Sequence, residues 1–237
     1  MITEQELGKY ACNISIERLK SFVYQQDDNI NDVIERYADN IKISQSLYPE
    51  LAVLEVSLRN AVDTALKSFI SENWIEDEVK NNVWLDTYDY NTLVNAYNNT
   101  KQDCILNKKT FSIGKVIANL NFGFWTNICV KKYNSKIWNK RNCFKAVFPN
   151  YTSKKLSINI ISQQLYIIRR LRNRVFHYEQ IFKNPKNTLS LYNEIMNLIS
   201  YMPGDNFSIL KKTSSFLKVY NSLANNKKPR LLCDKPQ

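Results

Sequence analysis

The stretch LAVLEVSLRNAVDTALKSF, residues 51–69, decides what kind of fold this chain adopts. Its apolar positions Leu51, Leu54, Leu58, Ala61, Val62, Ala65 and Phe69 recur at three- and four-residue spacing. That is the period of one helix face, not the two-residue period of a half-buried strand. Ile30, Val33, Ile34, Tyr37 and Ile41 repeat the pattern upstream, so two amphipathic helices are predicted across positions 29–70, with Pro49 breaking or bending the chain between them.

The same spacing returns in Leu93, Val94 and Tyr97, in Ile113, Val116, Ile117 and Leu120, and in Ile195, Met196, Leu198 and Ile199. No run alternates apolar and polar residues between hairpin turns, and the dipeptides NG and DG are absent. An all-α fold is therefore predicted, a helical bundle with additional helices and no sheet. In NFGFWTN, residues 121–127, Gly123 either lets two helices approach closely or ends one of them. MPG at 202–204 marks a break, after which Asp205 would cap a final helix running toward Leu223. Residues 1–223 read as one domain and 224–237 as a basic flexible tail.

With 44% hydrophobic and 12% aromatic residues but only 4 glycines and 6 prolines, the 237-residue chain can bury a substantial core and is not disordered over most of its length. The start, MITEQELGKY, is not a basic-then-apolar leader, and no stretch approaches the roughly 20 apolar residues that span a bilayer. A cytoplasmic protein without a membrane partner is expected. Cys12, Cys104, Cys129, Cys143 and Cys233 are odd in number and widely spaced, which fits reduced thiols better than disulfides or a zinc site.

The net charge of +11 is concentrated in one block. From Cys104 to Tyr178 there are 15 Lys or Arg residues and no Asp or Glu, so this span carries +15 and the rest of the chain −4. A span this long without acid predicts a positive face for a polyanion, with nucleic acid the first candidate.

The block ends in RRLRNRVFHY, residues 169–178, which holds His177, the chain's one histidine. Placed on an ideal helix from Leu165 to Tyr178, Leu165, Ile167, Ile168, Leu171, Val175, Phe176 and Tyr178 share a broad apolar arc. Arg169, Arg170, Asn173, Arg174 and His177 take the opposite arc, with Asn173 and His177 one turn apart. Arg172 falls within the apolar arc and needs an acidic or phosphate partner unless it snorkels outward. Glu55 is the matching anomaly, since it lies among Leu51, Leu58, Val62 and Leu66, with Arg59 one turn on. An inward-pointing cluster of Glu55, Arg59 and Arg172 is predicted, against the alternative of two ordinary snorkelling edges.

These residue types suit RNA cleavage without metal. A base removes the ribose 2′-OH proton, the oxygen attacks phosphorus, and an acid protonates the departing 5′ oxygen. Histidine titrates near neutral pH and serves either step. Arginine stabilises the phosphorane charge, and asparagine orients the phosphate or the imidazole. Arg172, His177 and Asn173 are the candidate catalytic residues. Arg169, Arg170, Arg174, Lys131, Lys132, Lys136, Lys140 and Arg141 are candidate RNA contacts. A metal-dependent nuclease would need converging carboxylates, which the block lacks, so neither metal nor cofactor is expected. One histidine per chain, for a reaction that uses both an acid and a base, predicts a homodimer.

RRLRNRVFHYEQIF resembles the R-N-R-hydrophobic-x-H-x-E-x-I signature of the Abi-like (AbiD/AbiF) abortive-infection proteins, within the HEPN class of all-helical ribonucleases. YPELAVLEVSLRNAVD resembles that family's Glu-x-x-x-Arg-Asn helix, NLNFGFWTNI its Gly-Phe-Trp segment, and IWNKRNCFKAVFPN a further motif, so that the likeness covers most of positions 30–182. The resemblance implies a HEPN-like bundle in which Arg172 and His177 act at an RNA phosphate across a dimer, with Asn173 as the polar residue after the arginine. Glu179 matches the signature's acid, and Glu55 and Arg59 fall in the Glu-x-x-x-Arg-Asn helix; all three are supporting residues. It also implies phage defence by growth arrest, or a toxin restrained by a small RNA or protein antitoxin. Phe176, Tyr178 and Gln180 stand where relatives often have alanine, a second histidine and proline, which implies weaker activity.

Two rival classes remain at the level of sequence. The block would also suit a non-catalytic module that clamps a structured RNA, with Tyr133, Trp138 and Phe144 of KKYNSKIWNKRNCFK (131–145) stacking on bases or packing in the core. A scaffold meeting an acidic protein is the third class.

Overall fold

The computed structural model describes residues 3–10, 14–151 and 157–231, and every regular element among them is helical. The α-helices are α1 (Glu4–Gly8), α2 (Ile16–Lys20), α3 (Ile30–Ser46), α4 (Tyr48–Phe69), α5 (Trp74–Asn81), α6 (Thr87–Leu106) and α7 (Ile113–Asn119). There follow α8 (Phe122–Ile128), α9 (Cys143–Val147), α10 (Ile158–Phe176), α11 (Pro185–Tyr201), α12 (Asn206–Thr213) and α13 (Phe216–Leu231). A 3-10 turn (Lys131–Tyr133) and a π-helical turn (Asn134–Trp138) lie between α8 and α9. The chain is all-α, as its periodicity predicts.

Local chemistry explains where these helices begin. Asn29 accepts from Asn31 N and Asp32 N at 2.9 and 3.1 Å while Asp32 accepts from Asn29 N at 3.2 Å, a reciprocal cap that starts α3. Leu47 alone separates α3 from α4, and Pro49 sits in the first turn of α4, where its missing N–H has no helical partner to lose. Asn121 caps α8 by accepting from Phe124 N at 2.9 Å. A Cβ on Gly123 would stand 2.9 Å from that capping oxygen. The glycine thus makes room for the cap inside α8 and does not end a helix.

One expectation near the C-terminus is corrected. The single helix predicted from Asp205 toward Leu223 is two helices, α12 and α13, parted at Ser214 and Ser215. The break lets the Ser214 hydroxyl donate to the buried Glu50 carboxyl and lets Phe216 stack on Tyr192, with ring centroids 4.3 Å apart and planes 10° from parallel. Of the stretch expected as a basic flexible tail, residues 224–231 form the end of α13. Residues 232–237 of that tail, with Cys12, Lys154, Lys155 and Cys233, lie outside the described residues.

The residues read as one domain fall into two compact units, neither contiguous in the chain. The first comprises Met1–Leu51, Arg170–Ile195 and Ser208–Gln237. Here Leu7, Leu19, Phe22 and Val33 form a buried cluster with Ile30, Ile34 and Tyr37 against it, and α3 packs on α13. The Arg36 guanidinium forks onto Asp28 at 2.5 and 2.6 Å, and Asp28 also accepts from the amides of Tyr24 and Gln25.

The second unit comprises Ala52–Arg169 and Met196–Phe207. In it α6 packs against α5, α7 and α8, around the buried rings of Trp74, Phe124 and Trp125. The apolar face predicted for α4 is buried here at Leu54, Leu58, Ala61, Val62, Ala65 and Leu66. Cys104, Cys129 and Cys143 are free and buried in this unit. Burial pushes the Cys143 thiol up to about 11 against the opposing charge of Lys140 and raises that of Cys129 as well, so these two are packing residues rather than nucleophiles.

Candidate functional site

In α10 the residues Leu165 and Ile168 of the second unit, and Leu171 and Val175 of the first, are buried, as the 3.6-residue period requires. The apolar arc is narrower than the sequence pattern suggests, since Ile167, Phe176 and Tyr178 are exposed. Part of the reason is that the helix stops at Phe176, and Tyr178 has φ +57° and so no longer follows the helical wheel.

The end of α10 is fixed on both sides of His177. Tyr178 N donates to Val175 O at 3.2 Å and Glu179 N to Arg174 O at 2.8 Å, the pair of bonds that closes a helix through a left-handed residue. Glycine usually occupies that position, because a side chain there costs about 1–2 kcal/mol. Arg18, from α2, donates to the carbonyl of His177 at 2.9 Å and to the carbonyl of Tyr178, supplying a cation where the helix leaves its last acceptors. Asn40 of α3 holds the next residues by donating to Glu179 O at 3.0 Å and accepting from Ile181 N at 2.7 Å.

His177 N donates to Asn173 O at 2.8 Å, so the two predicted partners do lie one turn apart, and both are exposed. The imidazole is therefore carried on a backbone pinned from α2, α3 and its own helix. Arg172 is half-buried, and its guanidinium carbon lies 4.5 Å from the centroid of the Phe176 ring. Phe176 in turn meets Tyr48, the first residue of α4, at 6.0 Å. Arg172–Phe176 and Asn173–His177 are thus two adjacent stripes, offset by about 100° around the helix axis.

A groove of about 400 Å³ opens beside this turn, walled by Ile41, Ser44, Tyr48, Phe176 and Tyr178. The exposed aromatic rings here are a feature that sequence reasoning missed, because Phe176 and Tyr178 looked like core residues on an ideal helix. A second hollow, of about 450 Å³, lies among Ser15, Arg18, Arg174 and Glu179.

Several predicted RNA contacts have partners within the chain. Arg174 donates to Gln180 O and pairs with Glu179 at 3.5 Å, which places both residues in support of the turn after α10. In the second unit, Arg169 donates to Asn127 Oδ1 at 2.7 Å and to Thr126 Oγ1 at 3.2 Å. Asn127 donates onward to Asp89 at 3.0 Å, and Asp89, fully buried, also accepts from Tyr133 Oη at 2.6 Å and Lys132 Nζ at 2.8 Å. Burial works against the Lys132 ammonium, but its bonds to Asp86 and Asp89 outweigh that and hold its pKa above the usual lysine range. Burial, with the Asp89 bond, also pushes the Tyr133 phenol up.

Arg170, in the first unit, is exposed, as are Lys131, Lys136, Lys140 and Arg141 in the second, joined there by Lys145 of α9. None of these five second-unit cations forms an ion pair with a described residue. Tyr133 and Trp138 are core residues, and Phe144 packs edge-on to Trp138 at 6.5 Å, so the aromatics of 131–145 are structural. Glu55 is half-buried in the second unit, where Arg59 Nε lies 3.4 Å from Asn60 Oδ1. The fully buried glutamate of α4 is Glu50, in the first unit, which sequence reasoning passed over because an acid in a first helical turn is ordinarily a solvated dipole partner.

Among the described residues no three His, Cys, Asp or Glu side chains gather as a metal site, and no helix is long and apolar enough to cross a membrane. No family model, no curated protein and no solved structure matches this chain.

Proposed function

We propose that this chain is a metal-independent endoribonuclease of the Abi-like, HEPN-type class. The observation that carries this reading is His177 itself. The chain's one histidine is exposed at a helix end whose backbone is held by Arg18, Asn40 and Asn173, on the helix that also carries Arg170 and Arg172 and within a span free of acidic residues. A positioned imidazole beside guanidinium groups is what phosphodiester transfer requires.

In the reaction, one imidazole takes the ribose 2′-OH proton as the oxygen forms its bond to phosphorus. The P–O5′ bond breaks and a protonated imidazole gives its proton to the departing 5′ oxygen. The products are a 2′,3′-cyclic phosphate and a 5′-OH. Arg172 neutralises the charge that develops on the phosphorane oxygens, and Asn173, one turn below His177, orients the phosphate. Two imidazoles come from two copies of the chain, so the working form is a homodimer. Phage defence or toxin activity under a small RNA or protein antitoxin, in the cytoplasm, belongs to this proposal on the strength of the sequence resemblance.

A second reading, a non-catalytic clamp for structured RNA, draws support from the unpaired cations Lys131, Lys136, Lys140, Arg141 and Lys145, which lie in the unit that lacks the histidine.

The test is RNA incubated in EDTA with wild type, His177→Ala and Arg172→Ala. His177→Ala is expected to lower the cleavage rate by about 10²–10⁴-fold with RNA binding retained. Cleavage unchanged in that variant eliminates the mechanism. Salt-sensitive binding without any cleavage by the wild type favours the clamp.

A further inference from the structure

The groove beside the last turn of α10 has three features that folding alone does not account for. First, Tyr178 occupies a left-handed backbone position, φ +57°, that glycine would fill without strain, yet its ring is 66% exposed. The fold pays conformationally for a tyrosine here and gains little burial in return, the pattern of a residue retained for contact with something else. Second, Tyr48 and Phe176 are 58% and 40% exposed and their rings meet at 6.0 Å, which gives the groove an aromatic wall. Third, Ser44 is 7% exposed and lines the groove, and its hydroxyl has no hydrogen-bond partner among the described residues. A buried hydroxyl in that state is costly to the fold, and it lies beneath the floor of the groove rather than open to it.

The occupant is constrained by charge as well as shape. No acidic side chain lines the groove. Arg172 lies on Phe176 at its edge, and His177 stands between Phe176 and Tyr178 in the chain. A flat, uncharged ring covalently attached to an anion fits the aromatic wall and the charge together.

We propose that the groove is a base-binding subsite that takes one unpaired nucleobase of an RNA strand, stacked on Tyr178 and Phe176; the assignment of the neighbouring phosphate to His177 and Arg172 rests on the ribonuclease reading above. The substrate class is therefore single-stranded RNA, or a loop or bulge, because in a duplex the faces of the base are covered by its neighbours. Selection by stacking is tolerant of base identity, so the subsite sets strandedness more than sequence.

The test uses the full chain and a fluorescent single-stranded 2′-fluoro RNA, which lacks the attacking hydroxyl and so reports binding alone. Tyr178→Gly is expected to raise the thermal midpoint, since it relieves the left-handed strain, while weakening single-strand affinity about tenfold. Duplex RNA of the same sequence should bind more weakly than the single strand, and Tyr178→Gly should remove most of that preference.

A Tyr178→Gly protein that is more stable and binds the single strand as tightly as wild type overturns the subsite. So does a shift from dimer to monomer in sedimentation with RNA affinity per chain unchanged, which would make the groove a contact between copies. Either result, with His177→Ala still abolishing cleavage, leaves the nuclease intact. A wild type that neither binds nor cuts single-stranded RNA removes both.

Discussion

Lys132 separates a structural cation from an RNA contact, two roles that predict opposite results for Lys132→Met. Its ammonium lies 2.8 Å from Asp89 Oδ2 and also reaches the Asp86 carboxylate. Asp86 is 44% exposed, so that link contributes little, whereas the Asp89 side chain is fully buried and loses its cation in the variant. Removing one partner of a buried pair costs about 3–5 kcal/mol. The Lys132 side chain is itself 42% exposed, so water replaces part of the interaction, and Tyr133 and Asn127 still donate to Asp89. The remaining loss is about 2 kcal/mol, a fall of about 4–8 °C in Tm for a chain of this size. Tryptophan fluorescence reads the second unit directly, because Trp74, Trp84, Trp125 and Trp138 all belong to it and Trp84 meets Tyr133 edge-on at 5.6 Å. The salt dependence of RNA binding should not change. An unaltered Tm, together with a salt slope shallower by about 0.7, would refute the argument and return Lys132 to the phosphate contacts.

Two further predictions concern pH. The Arg36 fork, opposed by burial and helped by the amides of Gln25 and Tyr24, holds the Asp28 carboxyl well below the usual carboxylate range. A depressed folded-state pKa contributes stability that is present above the unfolded value, about 3.9, and lost as pH falls through the folded one. Thermal unfolding by circular dichroism should show wild-type Tm falling more steeply than that of Asp28→Asn below about pH 4, and parallel profiles would refute this. Glu50 has the opposite sign, since burial raises its pKa against the Ser214 hydrogen bond. Its contribution is greatest below the unfolded value, about 4.3, and declines as pH rises through the folded one. Glu50→Gln, which keeps a hydrogen-bonding carboxamide without the charge, should raise Tm at pH 8 relative to wild type and flatten the profile above pH 5; a lower Tm at pH 8 would refute it.

The residues themselves divide into those that local spacing explains and those that it does not. The all-α class, the α3–α4 pair, and the buried line of Leu165, Ile168, Leu171 and Val175 all follow from a period of three to four residues, whereas the break between α3 and α4 falls at Leu47 and not at Pro49. Such a period is complete within a few turns of chain, so the sequence by itself determines it. The placement of His177 one turn above Asn173 follows for the same reason.

What only the tertiary structure decided is which polar groups are buried and which face outward. Glu50 is sealed, rather than Glu55, because Ser214 comes from 164 residues away to meet it. Lys132 is committed to Asp89 across 43 residues, and Arg18 clamps the carbonyl of His177 across 159. Tyr178 left the ideal helix because that clamp and the closing bonds of α10 stabilise a backbone conformation its side chain disfavours. A helical stripe is a property of neighbours in sequence, whereas the partner that makes a buried charge tolerable arrives from a distant segment, and no local pattern encodes its arrival.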